Sequence, residues 1–122
     1  MVACGDDFTV AVTEEGELFA CGDGGHGHLG LGAVLHQQQP ARAGGPELFD
    51  NQRIRLAAAG ERHLAVVAED GAVYTCGHGG EGQLGLGDGQ PRRRLTLVPQ
   101  ALFAGSRVVN QSTFYCSYRN KI

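Results

Sequence analysis

The chain contains an internal repeat, and this repeat constrains the fold more than any other feature of the sequence. When the sequence is shifted by 55 residues, Cys4–Gly32 aligns with Ala59–Gly87, and 13 of the 29 positions are identical. Unrelated segments of this length would share about two residues. Self-similarity at a fixed spacing is typical of solenoids and propellers, in which each repeat stacks on its neighbours.

Each copy of the repeat reads as short strands separated by glycine-containing turns. The β-rich segments 8–13 and 63–68 predict one strand in each copy. Gly16 and Gly71 occupy the following turns, where glycine permits the positive φ of a hairpin. No segment shows an apolar period of 3.6 residues, so we predict an all-β fold. Antiparallel units of this length are expected to form propeller blades, about two of them in this chain.

The glycine content follows from the repeat. Of the 20 glycines in 122 residues, 16 form eight pairs related by the shift of 55. Tight loops between strands need glycine for packing reasons alone, so the excess does not require a ligand. The segments Gly22–Gly27 and Gly77–Gly82 both match G-x-G-x-x-G, but no helix follows the third glycine to hold a pyrophosphate. We therefore predict no dinucleotide site.

Metal sites are not predicted either. A calcium-binding nonapeptide would need an aspartate where this chain has Leu29 and Leu84. A zinc site lacks the paired spacing of ligands, and we interpret the histidines as exposed loop residues. The residues considered for zinc are His26, His28, His36, His78 and Cys21. The sequence predicts no catalytic residue, no metal ligand and no cofactor.

Charge is distributed unevenly along the chain. Residues 1–32 carry six acids and no Lys or Arg, residues 92–122 carry six bases and no acid, and the net charge is −3. This net charge does not favour nucleic acid or an acidic membrane as a partner. Arg92, Arg93 and Arg94 are the candidate partner contacts, in a predicted connecting loop, because arginine binds phosphate or acidic proteins equally well.

Signals for export or membrane insertion are not visible in the sequence. No apolar run is long enough for a spanning helix, and no basic segment followed by an apolar run stands at the start. The four cysteines lie far apart and form no C-x-x-C pair. We therefore expect an intracellular protein, cytoplasmic or nuclear, with no membrane partner.

The repeat resembles the regulator-of-chromosome-condensation repeat family. The resemblance lies in Ala3-Cys4-Gly5, Gly16, Cys21-Gly22 and Gly27-His28-Leu29-Gly30-Leu31-Gly32, and in Ala58-Ala59-Gly60, His63, Gly71, Cys76-Gly77 and Gly82-Gln83-Leu84-Gly85-Leu86-Gly87. The chain departs from the family pattern at the tryptophan before glycine, which is Cys21 or Cys76 here, and at a histidine replaced by Phe8. A missing indole removes packing area between blades.

The resemblance implies a closed propeller of about seven blades, so a chain of about two blades is expected to be a fragment of one. We expect a first repeat over 1–52 that lacks its upstream strand, a second over 53–106, and the diverged or truncated start of a third over 107–122. The predicted structural positions, including a histidine that matches the family, are Gly5, Gly16, Gly22, Gly27, Leu29, Gly30, Leu31, Gly32, Gly60, His63, Gly71, Gly77, Gly82, Leu84, Gly85, Leu86 and Gly87.

The resemblance also implies a function. We expect a non-enzymatic protein-interaction module with a protein partner and no small-molecule substrate. One alternative is part of a guanine-nucleotide exchange factor for a small GTPase, which would then be the partner. A second alternative is a chromatin-associated adaptor or the propeller of a larger ubiquitin ligase. The sequence does not select the partner, because one fold serves many functions.

Overall fold

Two four-stranded antiparallel sheets follow one another along the chain in the computed structural model, which describes residues 1–25, 27–32, 36–80, 82–99 and 102. The first blade consists of β1 (Val2–Cys4), β2 (Phe8–Val12), β3 (Leu18–Asp23) and β4 (His36–Arg42). The second consists of β5 (Ile54–Ala59), β6 (His63–Ala68), β7 (Val73–Gly77) and β8 (Arg92–Val98). The strands pair in chain order, which confirms the predicted all-β fold.

The two blades have the same strand register. Val10 pairs with Ala20 in the first blade, and Ala65 pairs with Thr75 in the second. In both blades the pairing of the third and fourth strands is interrupted at equivalent positions, between residues 20 and 22 and between residues 75 and 77. The sequence repeat of 55 residues is therefore also a repeat of backbone structure.

The hairpin turns form where the sequence predicts them. Gly16 and Gly71 have φ values of 81° and 91°, a region that side-chain-bearing residues rarely adopt. The N–H of Thr13 donates to the carbonyl of Glu17 at 2.9 Å and closes the first turn. The equivalent bond in the second blade joins Ala68 to Ala72 at 2.8 Å. These turns set the directions of the strands that carry the core.

The first blade begins with a strand that the sequence did not lead us to expect. β1 has three residues and pairs with β2, whereas the equivalent β5 has six. A three-residue strand thus occupies the place of the upstream strand in the first repeat. The predicted third repeat, 107–122, lies outside the described residues. Among the residues that are described, no helix could span a membrane.

One contiguous hydrophobic core joins the two blades. Alternation along β2 buries Phe8, Val10 and Val12 and leaves Thr9 and Ala11 half-buried, as expected for a strand with one face against the core. The core residues are Phe8, Val10, Val12, Leu18, Ala20, Leu29, Ala43, Phe49, Ile54, Ala57, Leu64, Val66, Ala68, Tyr74, Cys76 and Leu95. Because both blades contribute to this cluster, neither blade is expected to be stable without the other.

Replacement of Leu64 by alanine should destabilise the fold by about 2–5 kcal/mol, because it removes buried methyl groups and leaves a cavity between the blades. Leu64 is 0% exposed, whereas Leu97 on β8 is 49% exposed. Leu97→Ala should therefore cost less than about 1 kcal/mol. Urea denaturation followed by circular dichroism measures both values. Equal losses in the two variants would contradict the assignment of the core.

Candidate functional site

Each blade carries a glycine loop after its third strand: Gly27–Gly32 is glycine loop 1 and Gly82–Gly87 is glycine loop 2. The two loops have nearly the same backbone, with φ of 85° and 81° at their first glycines. The central leucines, Leu29 and Leu84, are 0% and 2% exposed and anchor the loops to their blades. The loop conformation is therefore a property of the repeat itself.

The surroundings of the two loops differ. Glycine loop 1 packs against the outer strand of the second blade, where Leu31 forms an antiparallel bridge with Arg94. The N–H of Gly32 donates to the carbonyl of Arg93 at 3.0 Å. A Cβ atom on Gly27 would lie 2.8 Å from the Cα of Arg93, closer than such atoms can approach, whereas a Cβ on Gly82 would meet no described residue within 4 Å. Glycine loop 1 thus joins the blades, whereas in the part of the chain that the structure describes no residue covers Gly82 of glycine loop 2.

Alanine at Gly27 should destabilise the chain more than alanine at Gly82. Both substitutions force a side chain into positive φ, which costs about 1–2 kcal/mol. Only Gly27→Ala adds a collision with the backbone of the second blade. Thermal melting of both variants measures the difference, and equal melting temperatures would contradict the close approach of loop and strand.

The arginine run forms part of a strand. We expected Arg92, Arg93 and Arg94 in a connecting loop, but they are the first three residues of β8, because this segment pairs with β7 and carries the bridge to glycine loop 1. Arg92 donates to the carboxylate of Asp88 at 2.7 Å, and this bond lowers the pKa of Asp88, as does the N–H of Gln90. Arg93 and Arg94 are exposed. Their role as partner contacts stays a prediction.

The histidines are not all exposed loop residues. His28 is 4% exposed, its Nε2 atom lies 2.9 Å from the carbonyl oxygen of Asp23, and its ring packs edge-on against Phe8 with 4.5 Å between centroids. His28 is buried because glycine loop 1 is covered by the second blade, a contact that the local sequence does not reveal. His63 is also buried, at 6% exposure, in agreement with its predicted structural role, whereas His36 on β4 is exposed.

The cysteines differ in burial although two of them are equivalent in the repeat. Cys76 is 0% exposed, and a Cβ on Gly30 would lie 3.4 Å from its Sγ atom, so glycine loop 1 covers it. Its counterpart Cys21 is only half-buried, and Cys4 is exposed. Burial raises the pKa of the Cys76 thiol to about 12. A thiol that keeps its proton is a poor nucleophile, so Cys76 is a packing residue.

Iodoacetamide at pH 8 should modify Cys4 and leave Cys76 unmodified in the folded chain, because the thiolate is the reacting form. The free energy of unfolding should also fall as the pH rises from 9.0, the ordinary pKa of a cysteine thiol, towards about 12. The reason is that Cys76 ionises in the unfolded chain over this range and keeps its proton in the folded one. Mass spectrometry of digested protein maps the modified sites. Equal modification of both thiols before unfolding would contradict this account.

A charged groove lies at the end of the blades that carries the hairpin turns at Gly16 and Gly71. Backbone bonds bring the connection between the blades against both turns: the N–H of Ile54 donates to Gly16 at 2.9 Å, and the N–H of Glu69 donates to Arg53 at 2.8 Å. The resulting groove has a volume of about 260 Å³ and is lined in part by Glu15 and Phe49. We call this feature the turn-end groove.

Acidic side chains surround the turn-end groove. The arginines here already have acidic partners: Arg42 pairs with Glu17 at 3.2 Å and Arg53 with Glu69 at 3.8 Å. Further exposed acids at this end are Glu14, Glu15, Glu47, Asp50 and Asp70. The lining of the groove is mainly polar, and Phe49 lies buried at its base, 5% exposed, with its ring edge-on against Tyr74 at 5.0 Å between centroids. Burial, then the charges of Asp70 and Asp50, raise the pKa of Tyr74, which packs against Phe49.

We did not predict the turn-end groove from the sequence. The sequence contains one indication of the groove: both copies of the repeat carry two acids before the turn glycine, at Glu14-Glu15 and Glu69-Asp70. What the sequence did not reveal is that residues 43–53 cross the same end and place Phe49 between the turns. This crossing is a contact between segments that are distant in sequence.

Comparison with known protein families agrees with the geometry. Two models of the regulator of chromosome condensation (RCC1) repeat match the chain, one at residues 2–27 and 54–83 and the other at residues 15–67 and 70–113. The chain belongs to the RCC1 repeat family. The second model covers most of both blades, so the match extends beyond the glycine loops to the whole repeat unit.

Curated relatives of this RCC1-repeat chain carry several different names. It is 38% identical over 121 residues to the ultraviolet-B receptor UVR8 of Arabidopsis thaliana, covering 99% of this chain and 26% of the receptor. It is 36% identical over 110 residues to the X-linked retinitis pigmentosa GTPase regulator of Canis lupus familiaris, covering 90% of this chain and 10% of that protein. The chain thus spans about a quarter of the receptor's length and less of the regulator's.

Solved structures of RCC1-like propellers superpose on the two blades. Human WBSCR16 matches with a TM-score of 0.75 and 25% identity, over 89% of this chain and 27% of that one. Prp20p of Saccharomyces cerevisiae matches with a TM-score of 0.68 and 21% identity, over 81% of this chain and 25% of that one. The two blades therefore have the arrangement of adjacent blades in a larger propeller, which confirms the predicted fold.

Proposed function

We propose that this chain is part of a non-enzymatic protein-interaction module that binds a basic segment of a partner protein in the turn-end groove. The observation that carries the proposal is a groove with Phe49 at its base and exposed acids on both hairpin turns and on the connection between the blades. An aromatic residue within a polar rim is typical of protein-binding surfaces. The diversity of the relatives' names supports a binding module, since receptors, regulators and ligases share the fold and not one reaction.

The charge around the groove favours a positively charged segment of the partner. Arg42 and Arg53 are already paired with glutamates, so the remaining acids give this end a negative potential. A lysine- or arginine-rich segment would be attracted over a range set by the ionic strength. Arg93 and Arg94, exposed on the outer strand, are a proposed second contact for acidic groups of the same partner. An intracellular location remains part of this proposal.

Reversal of one groove charge tests the proposal. Glu15→Lys should weaken the binding of a fluorescent lysine- and arginine-rich peptide of about nine residues by about fivefold, and added salt should weaken it further. The matched control is Asp7→Lys, which makes the same change in net charge at the opposite end of the blades, where Asp7 is exposed. Fluorescence anisotropy measures both affinities. The same loss in both variants would show non-specific attraction and overturn the groove as the binding surface.

Guanine-nucleotide exchange is the alternative function. It is favoured by two similar proteins: one is named a GTPase regulator, and the other, Prp20p, is described together with its binding to Gsp1p and histones. Nucleotide release from a small GTPase, measured with and without this chain, distinguishes the two functions. Faster release would replace the proposal of a non-enzymatic module, and unchanged release would support it.

A further inference from the structure

Arg53 contacts both hairpin turns that border the turn-end groove: turn 1, residues 14–16, and turn 2, residues 69–71. On the side of turn 1, the Nη2 atom of Arg53 donates to the carbonyl of Glu14. On the side of turn 2, its Nε atom lies 3.8 Å from a carboxylate oxygen of Glu69. One side chain therefore connects a turn of the first blade with a turn of the second.

The backbone around Arg53 makes the same connection. The carbonyl of Arg53 accepts the N–H of Glu69 at 2.8 Å, and the N–H of the next residue, Ile54, donates to the carbonyl of Gly16 at 2.9 Å. The stem of the Arg53 side chain lies against turn 1, because a Cβ atom on Gly16 would collide with the Cβ of Arg53. The place of Arg53 relative to both turns is therefore set by the backbone, and the guanidinium adds a contact to each turn.

The charge of Arg53 and its contacts predict opposite effects on the binding of a basic segment. A guanidinium in the groove repels lysine and arginine, so charge alone predicts that its removal strengthens binding. Both turns carry acids, however, at Glu14-Glu15 and Glu69-Asp70. A segment that contacts both turns binds more tightly when the spacing of the turns is fixed in advance, because less conformational freedom is lost on binding. The contacts therefore predict that removal of Arg53 weakens binding.

We propose that Arg53 is a positioning residue: it fixes the spacing of the two acidic turns and so strengthens the binding of a basic segment in spite of its own positive charge. This inference rests on the proposed function of the turn-end groove. Arg42 also lines the groove, but its ion pair with Glu17 at 3.2 Å joins two segments of the first blade. Arg42 is therefore the matched control, with the same charge and a contact within one blade.

Replacement of each arginine by methionine separates position from charge. Methionine keeps an unbranched apolar stem and removes the guanidinium, so both variants change the net charge equally. Arg53→Met should weaken the binding of the fluorescent lysine- and arginine-rich peptide by about threefold, whereas Arg42→Met should strengthen it by about twofold, because Glu17 loses its partner. Fluorescence anisotropy measures both affinities, and thermal melting confirms that both variants are folded at the temperature used. Tighter binding to Arg53→Met would overturn the positioning role.

The salt dependence of binding distinguishes positioning from a general loss of folded protein. Turns that have lost their spacing should form fewer ion pairs with the peptide, so the affinity of Arg53→Met should fall less steeply with added salt than that of the unchanged chain. A smaller folded fraction would instead lower the affinity by the same factor at each salt concentration. An unchanged salt dependence in Arg53→Met would therefore overturn the inference.

Arg53→Lys tests whether the contact with both turns is needed. Lysine restores the charge but has one compact ammonium group in place of the planar fork that donates to both turns, so binding should stay at least about twofold weaker than in the unchanged chain. Full affinity in Arg53→Lys would overturn the two-sided contact. Equal losses in Glu15→Lys and Asp7→Lys would overturn the groove and this inference together. A loss in Glu15→Lys without one in Arg53→Met would overturn the positioning role and leave the groove as the binding surface.

Discussion

The contact between glycine loop 1 and the edge of β8 is the interaction on which the rest of the structure depends. It requires glycine at the point of closest approach, because any side chain on Gly27 would collide with the β8 backbone. It also requires Leu29, which anchors the loop in the core between the blades. With the loop packed against β8, Cys76 and His28 are buried, and the apolar faces of the two blades form one core. The hydrophobic effect then stabilises the pair of blades as a unit.

The same packing separates three surfaces with different chemistry. The hairpin turns and the connection between the blades form a mainly polar groove, and exposed acids surround it. The outer edge of β8 carries basic residues, but the backbone beside Arg93 and Arg94 is already used by glycine loop 1. In glycine loop 2, no described residue lies against Gly82 or Gly87.

Much of the fold could be predicted from the sequence. The shift of 55 residues located equivalent strands, and the turn glycines Gly16 and Gly71 have the positive φ that their position implies. Less of the candidate site could be predicted from the sequence. Arg92, Arg93 and Arg94 were expected in a loop because a charged run gives no strand periodicity, yet they belong to β8 through pairing with β7. The burial of His28 was missed because it depends in part on the second blade, where a Cβ on Gly77, about fifty residues later in the chain, would lie 3.0 Å from the Cβ of His28.

The sequence by itself determined the repeating unit: its strands, its turns and the glycines that its loops require. Only the tertiary structure decided what each copy of a repeated residue does. Cys21 and Cys76 occupy the same place in the repeat, yet only Cys76 is fully buried. Gly27 and Gly82 share a conformation, yet among the described strands one lies against Gly27 and none against Gly82. The physical reason is that local conformation depends on neighbours in sequence, whereas burial and contact depend on which blade stacks on which face.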